Sequence, residues 1–318
     1  MINKLIEIPF PNKQAIWKDQ AFGIRDIPEF KIYDNRSLKS KIIDGVSIFF
    51  NESFYLLKTF SKMMSAKFQK TPSLQFTDPI QTTTEAKALA VFLHGLNGKD
   101  SVWDDHKTYI KQRALEIDVF APNLPLFGHA YLNGEDTQIL LRSIVDWTKA
   151  HPGKPIALFG QSRGSMYAVR FETLLREAAP STPIHVSLTG GVLYGTTRVT
   201  RFNKWIPENK ANIVTGNVLT EIACKELSSG NETAKKLLQE AREPLKEGVA
   251  PRDYVMYASH SDLYVPETGS SLPIINEGNS QEGKTQRHYF SRGHGHNSIV
   301  GSAVEKQIED FINWSASI

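Results

Sequence analysis

The sequence predicts an α/β protein with a mostly parallel central sheet flanked by helices, and three observations predict it. From Ala88 onward, short apolar runs alternate with amphipathic stretches of helical spacing. One of those runs, Ile156 to Phe159, leads into Gly160-Gln161-Ser162-Arg163-Gly164 and then at once into a helix-like stretch. Two later strand-like runs end in loops that carry an acid and histidines, Ser259 to Pro266 and Arg292 to Ile299.

Length and composition bound the rest. The chain has 318 residues, 40% of them hydrophobic, enough for one large α/β domain or one domain with an attached subdomain. Charged residues are 22% and the formal net charge is +3, so no strong field invites nucleic acid or an anionic membrane. The single cysteine, Cys224, excludes an intramolecular disulfide and reads as a plain buried thiol in a helical segment. No apolar run of about 18 residues occurs, so no transmembrane helix is expected. The N-terminus has no positively charged region leading into a long apolar one. The expected compartment is the cytoplasm, with leaderless export left open.

Residues 1–85 look different from the rest and read as an N-terminal helical extension. Their main feature is an amphipathic stretch from Ile48 to Phe68, with Phe49, Phe50, Phe54, Leu57, Phe60, Met64 and Phe68 at helical spacing. The favoured reading is an aromatic face packed on the main domain; the other is an interfacial helix, with membrane-surface contact through residues 48–68. Thr71 to Lys87 is polar and reads as a linker.

The second unit spans 86–318. Strands are expected over Ala88 to Leu93, Asp118 to Ala121, Ile156 to Phe159, Ile184 to Leu188, Tyr254 to Ala258 and Gln286 to Phe290. Helices are expected over Asp105 to Glu116, Thr137 to Ala150, Gly164 to Ala178 and Ala303 to Trp314. The alternation breaks at about 198–250, a polar insertion with helix-like Glu221 to Leu227 and Glu232 to Ala241, placed where a cap or lid belongs. Its apolar residues (Ile213, Val214, Val218, Leu219, Ile222) either cover an acyl chain or form the insertion's own small core.

The turn at 160–164 has the form of a nucleophile elbow, with Ser162 at the apex and glycines where side chains would collide. A serine requires a base, itself oriented by an acid, and in a parallel sheet these come from loops at the carboxyl ends of strands. Asp262, just past one such strand, is the preferred acid. Asp253 precedes that strand and falls on the wrong edge, and Glu267 is the weaker rival. His294 and His296 compete for the base, and His296 is preferred because it adjoins the final helix after Gly295. His-x-His also admits a metal reading with His260 or His288, but no carboxylate or cysteine set accompanies it, so no metal and no cofactor are expected. The Leu96 and Arg163 amides are the candidate oxyanion donors, with Gly95 allowing close backbone approach. The His94 side chain reads as a structural hydrogen-bonding group, and Asn97 and Asp100 as cleft-lining or turn residues.

Together these residues resemble the α/β-hydrolase superfamily, in particular its lipase and esterase branch, over residues 88–318. The resemblance rests on His94-Gly95-Leu96, on Gly160 to Gly164, on Asp262 and on His296. Softer likenesses are Pro122 to Gly128, Gly195 to Thr200, and Gly293-His-Gly-His-Asn-Ser298, the last resembling the family's Gly-x-Gly-His-x-Ser around its histidine. The resemblance implies an α/β-hydrolase fold and a carboxylic ester hydrolase acting on small-molecule or lipid esters through an acyl-enzyme. An acyltransferase with the same triad and a non-catalytic binding module are the alternatives. Gln161 stands where such enzymes often carry histidine, and Arg163 where a small or apolar residue is common. Two readings are open for the Arg163 side chain, a cation at the mouth of the site or a surface arginine on the following helix.

Overall fold

The computed structural model describes residues 5–7, 38–39, 42–43, 45–53, 80, 85–113, 115–124, 128, 131–214, 220–259, 262, 264–265, 280–291 and 293–318. Phe54 to Phe68, most of the 71–87 linker, Val218, Leu219, His260 and Glu267 lie outside the described residues.

Strands β1 (Leu5–Glu7), β2 (Ala88–Leu93), β3 (Ile117–Phe120), β4 (Ile156–Gln161), β5 (Ile184–Thr189), β6 (Arg252–Ser259), β7 (Ser280–Gln281) and β8 (Lys284–Ser291) form a single sheet. Six of them run parallel in the order β3-β2-β4-β5-β6-β8, and β1 and β7 pair antiparallel with β8. From β2 the chain goes to β3 on one side and then to β4 on the other. That reversal opens a crevice at the carboxyl ends of β2 and β4, the place where parallel sheets bind ligands.

The apolar runs become central strands because both sheet faces are covered. Every residue of β2, β4 and β5 is buried. On one face Leu89, Val91, Leu158 and Val186 pack with Ile144 and Trp147 of α3 (Glu135–Ala150) and Met166 and Phe171 of α4 (Gly164–Ala178), counting residues 45–53 as α1 and Asp104–Gln112 as α2. On the other, Ala90, Phe92, Ala157 and Phe159 meet Trp103, Ile110, and Val300, Ile308 and Phe311 of the closing helix (Ser298–Ser315).

The insertion forms α5 (Thr197–Asn203) and α6 (Ala211–Val214), neither of which the pattern predicts, and α7 (Glu221–Leu227) and α8 (Glu232–Arg242); the closing helix is α9. Thr196, Thr220 and Asn231 cap α5, α7 and α8 by accepting from Arg198, Ala223 and Ala234 N–H groups. Ala223, Leu227, Ala234, Leu237 and Leu238 join the main core, so these helices are seated on the domain, while Ile213 is exposed.

The two helix ends that differ most from expectation have physical reasons. α2 stops at Gln112 rather than Glu116, since the Glu116 carbonyl accepts from Lys87 N at 2.8 Å to start the β2–β3 ladder. α9 starts at Ser298 rather than Ala303, because its first N–H groups are satisfied by a carboxylate from far away in sequence, Glu52. In α1 the buried side is marked by Ile48, whereas Phe49 and Phe50 are 68% and 65% exposed. At these two positions the aromatic face does not pack on the domain; the polar pairs made by Asn51 and Glu52 decide which side docks.

Phe159 stacks on Phe92 with ring centroids 4.8 Å apart and is fully buried. Phe159→Ala should cost about 3–5 kcal/mol in chemical denaturation. A loss below about 1 kcal/mol would mean that this face of the sheet is not packed as described.

Candidate active site

The elbow is fixed by close backbone approach. Ser162, between β4 and α4, has φ of 53°, a left-handed conformation that a non-glycine residue occupies at a cost of roughly 1–3 kcal/mol. A Cβ on Gly160 would lie 2.6 Å from Ser165 Cα, and one on Gly164 only 1.9 Å from the Leu93 carbonyl oxygen. Both glycines are sterically required. Ser162 N–H donates to Thr189 O at 2.9 Å, which ties the turn to β5.

The three separated residues meet at this apex. His296 Nε2 is 2.8 Å from Ser162 Oγ, and His296 Nδ1 is 2.6 Å from Asp262 Oδ2. The other Asp262 oxygen accepts from Tyr264 and Val265 N–H, each at 2.8 Å, an Asx-type turn that aims the carboxylate. With its carboxylate on Nδ1, the imidazole carries the proton there and presents Nε2 to the serine as acceptor. Burial works against the imidazolium. The Asp262 charge and hydrogen bond, with the Glu52 charge behind them, outweigh it and hold the His296 pKa above the ordinary histidine value. Gly190 follows β5 with φ of 54°, and a Cβ there would stand 3.0 Å from His296 Nδ1. The small Gly190-Gly191 step at a strand end is the sequence signal for this contact.

The loop after β2 comes equally close. A Cβ on Gly95 would be 2.7 Å from Ser162 Cβ, and Gly95 N–H donates to Gln161 Oε1 at 2.9 Å. His94 Nε2 accepts from Leu124 N–H at 2.8 Å, so its Nδ1–H donates to Gly95 O, also at 2.8 Å. Burial pushes the His94 pKa down to about 4, and the ring is a neutral brace, as its sequence context suggests. Asn97 adopts a left-handed turn conformation, and Asp100 begins a short 3-10 helix with its N–H on Asn123 Oδ1 at 3.0 Å.

Arg163 matches neither reading of its side chain. The residue is 1% exposed, and its guanidinium donates to Gly128 O and pairs with Glu226 of α7, lying 5.8 Å over the Tyr167 ring. A buried cation with a committed partner is neither a surface arginine nor a charge at the cleft mouth. Sequence could not reveal Glu226 as that partner, since 63 residues separate the two.

The rival residues fall elsewhere. His294 is half-buried, with a pKa lowered by burial, and His296 is the histidine bonded to Ser162. Asp253, at the start of β6, pairs with His185 at 2.8 Å and Arg287 at 2.6 Å. Burial opposes its ionisation, but the His185 hydrogen bond and charge, then Arg287, hold its pKa down at about 2. His288 is buried and pushed down to about 3. Among the described residues no group of three or more His, Cys, Asp or Glu side chains is disposed to hold a metal. The Cys224 thiol is buried, and burial followed by the Glu208 charge pushes it up to about 11. No helix among the described residues is long and apolar enough to cross a membrane.

Arg163→Ala should destabilise the protein by about 3–5 kcal/mol in denaturation, because it strands Glu226 as a buried charge. The double change Arg163→Met with Glu226→Leu should restore most of that. A double variant no better than the single would show that the pair is not coupled.

No family model and no curated protein matches the chain. Among solved structures it is similar to the Paleococcus ferrophilus monoacylglycerol lipase, at 14% identity over 70% of this chain and 94% of that one, TM-score 0.44. It is also similar to a lipase-esterase related protein from Clostridium acetobutylicum (12%, 73% and 96%, TM-score 0.42) and to the RedJ thioesterase from Streptomyces coelicolor (15%, 77% and 91%, TM-score 0.40). At such identities these likenesses say nothing about activity. With six parallel strands in the order described, a strand–elbow–helix turn and a Ser162–His296–Asp262 contact at the rim, the chain has the α/β-hydrolase fold.

Proposed function

We propose that the protein is a serine hydrolase of carboxylic esters, acting through an acyl-enzyme on Ser162. One observation carries the reading: an unbroken hydrogen-bonded path from Ser162 Oγ through His296 to Asp262, at 2.8 and 2.6 Å, in the crevice beside β2 and β4. A binding module has no use for a strained serine coupled to a base of raised pKa.

In the first half-reaction Ser162 Oγ attacks the ester carbonyl carbon while His296 Nε2 takes the hydroxyl proton. Asp262 accepts from Nδ1–H and stabilises the imidazolium. The carbonyl oxygen becomes an oxyanion, for which we assign the Leu96 and Arg163 amides as donors; Gly95 N–H is already engaged by Gln161. The intermediate collapses, the C–O bond to the alcohol breaks, and His296 returns the proton to the leaving oxygen. Water then attacks the acyl-serine with His296 again as base, releasing acid and free enzyme. Every atom in this cycle comes from ester, water and protein.

A fluorophosphonate probe should form a covalent adduct on Ser162 that is lost in Ser162→Ala; a folded protein without the adduct contradicts the reading. Asp262→Asn should lower kcat roughly 10⁴-fold against a nitrophenyl ester, by favouring the wrong tautomer. The base must be neutral to act, so activity should fall as pH drops through the raised His296 pKa. The acid limb of kcat/KM should therefore lie above about 6.5, and a limb below that value would count against His296 as the base.

A further inference from the structure

The turn that carries His296 is held from outside the catalytic domain's own segment. Glu52 of α1 places one oxygen, Oε1, against three donors: Asn297 N at 3.0 Å, Ser298 N at 2.7 Å and Ser298 Oγ at 2.8 Å. Its other oxygen accepts from Asn297 Nδ2 at 3.1 Å. Beside it, Asn51 Nδ2 donates to Gly293 O at 2.6 Å. Glu52 thus does for α9 what a local cap does for other helices, satisfying its first amides with a negative charge at the positive end of the helix. The residue immediately before this clamp is His296.

The glycines of the histidine turn fit the same arrangement. A Cβ on Gly295 would meet Glu52 Cγ at 2.6 Å and Cδ at 2.8 Å, and one on Gly293 would meet Ser47 Oγ at 2.8 Å. Gly293 also has φ of 75°, whereas Gly295 has no positive φ, so the absence of a side chain at 295 answers to the seat of Glu52 and not to backbone strain. Two kinds of observation, the four carboxylate contacts and the two glycine clearances, describe one fitted joint between α1 and the turn.

We infer that Glu52 is a positioning residue for the proposed ester hydrolysis: its carboxylate locks the 296–298 turn so that His296 Nε2 stays in line with Ser162, making α1 part of the catalytic unit. The inference rests on the hydrolase reading. Among the described residues the charged groups acting on His296 are Asp262, from the loop after β6, and Glu52, from α1; the Tyr264 ring lies 5.4 Å away, and the elbow contributes the Ser162 hydroxyl. Neutralising Glu52 removes a negative charge near the imidazole and lowers its pKa, so the acid limb of activity moves to lower pH.

The test uses the full chain and a nitrophenyl ester. Glu52→Ala should lower kcat about 10- to 100-fold with KM little changed, as expected for a misaligned base. Glu52→Gln keeps an acceptor at Oε1 and should recover most of that loss, while its acid limb still moves to lower pH. Gly295→Ala expels the Glu52 side chain and should mimic Glu52→Ala, and the double variant should be no worse than either single. Equal kcat in native and Glu52→Ala, or additive losses in the double variant, overturns the inference. Should Glu52→Ala fail to fold, Glu52→Gln decides: a shifted acid limb supports the role and an unmoved one overturns it. The two levels separate cleanly. A native protein without a fluorophosphonate adduct removes the hydrolase reading and this inference together, whereas a reactive native protein with an indifferent Glu52→Ala variant removes this inference alone.

Discussion

At the rim of the sheet two backbones approach closer than any side chain would permit, and the arrangement of the site depends on that approach. The turn between β4 and α4 presses on the end of β2, where a methyl group at position 164 would stand 1.9 Å from the Leu93 carbonyl oxygen. Held there, Ser162 is kept in a left-handed conformation that it would otherwise leave. The same pressure brings Gly95 against the serine and lets Gln161 grip the Gly95 amide. The Ser162 apex and the loop after β2 therefore share one origin in packing, and core stability on both faces of the sheet keeps the strain in place.

Electrostatics then gives each polar group one role. Three histidines near or beneath the site have different environments and different protonation. For His94 and His288 burial is the largest influence, and it keeps them neutral, at about 4 and about 3. His296 is buried as well, but Asp262 and Glu52 reverse the sign of its shift. Residue type alone does not distinguish a brace from a base. His296 alone of these rings has Asp262 on Nδ1 and the Ser162 hydroxyl on Nε2; His185 also has a carboxylate on Nδ1, Asp253, but lies buried away from the serine.

Much of the fold and the meeting of Ser162, Asp262 and His296 is legible in the sequence because the signals are local. A buried strand, an elbow and a helix lie within consecutive residues, and the glycines at 160 and 164 have a steric meaning independent of the rest of the chain. Strand ends bearing Asp262 and His296 follow from the same reasoning, since loops at one edge of a parallel sheet meet. What escaped was non-local and polar. Glu52 lies 246 residues from Ser298, and Glu226 lies 63 from Arg163. Neither pair leaves a periodic trace, so the pattern starts α9 too late and points the Arg163 guanidinium toward solvent. Residues 1–85 showed no resemblance to draw on, yet Leu5–Glu7 adds to the sheet edge and α1 docks on the histidine turn.

The central claim is that one proton is held between His296 Nδ1 and Asp262, which leaves Nε2 as a base for Ser162. Proton NMR of the resting protein tests it most directly. A single imidazole N–H resonance is expected far downfield of the amides, abolished by Asp262→Asn and titrating with the acid limb of activity. No such resonance, or one indifferent to residue 262, would contradict the account.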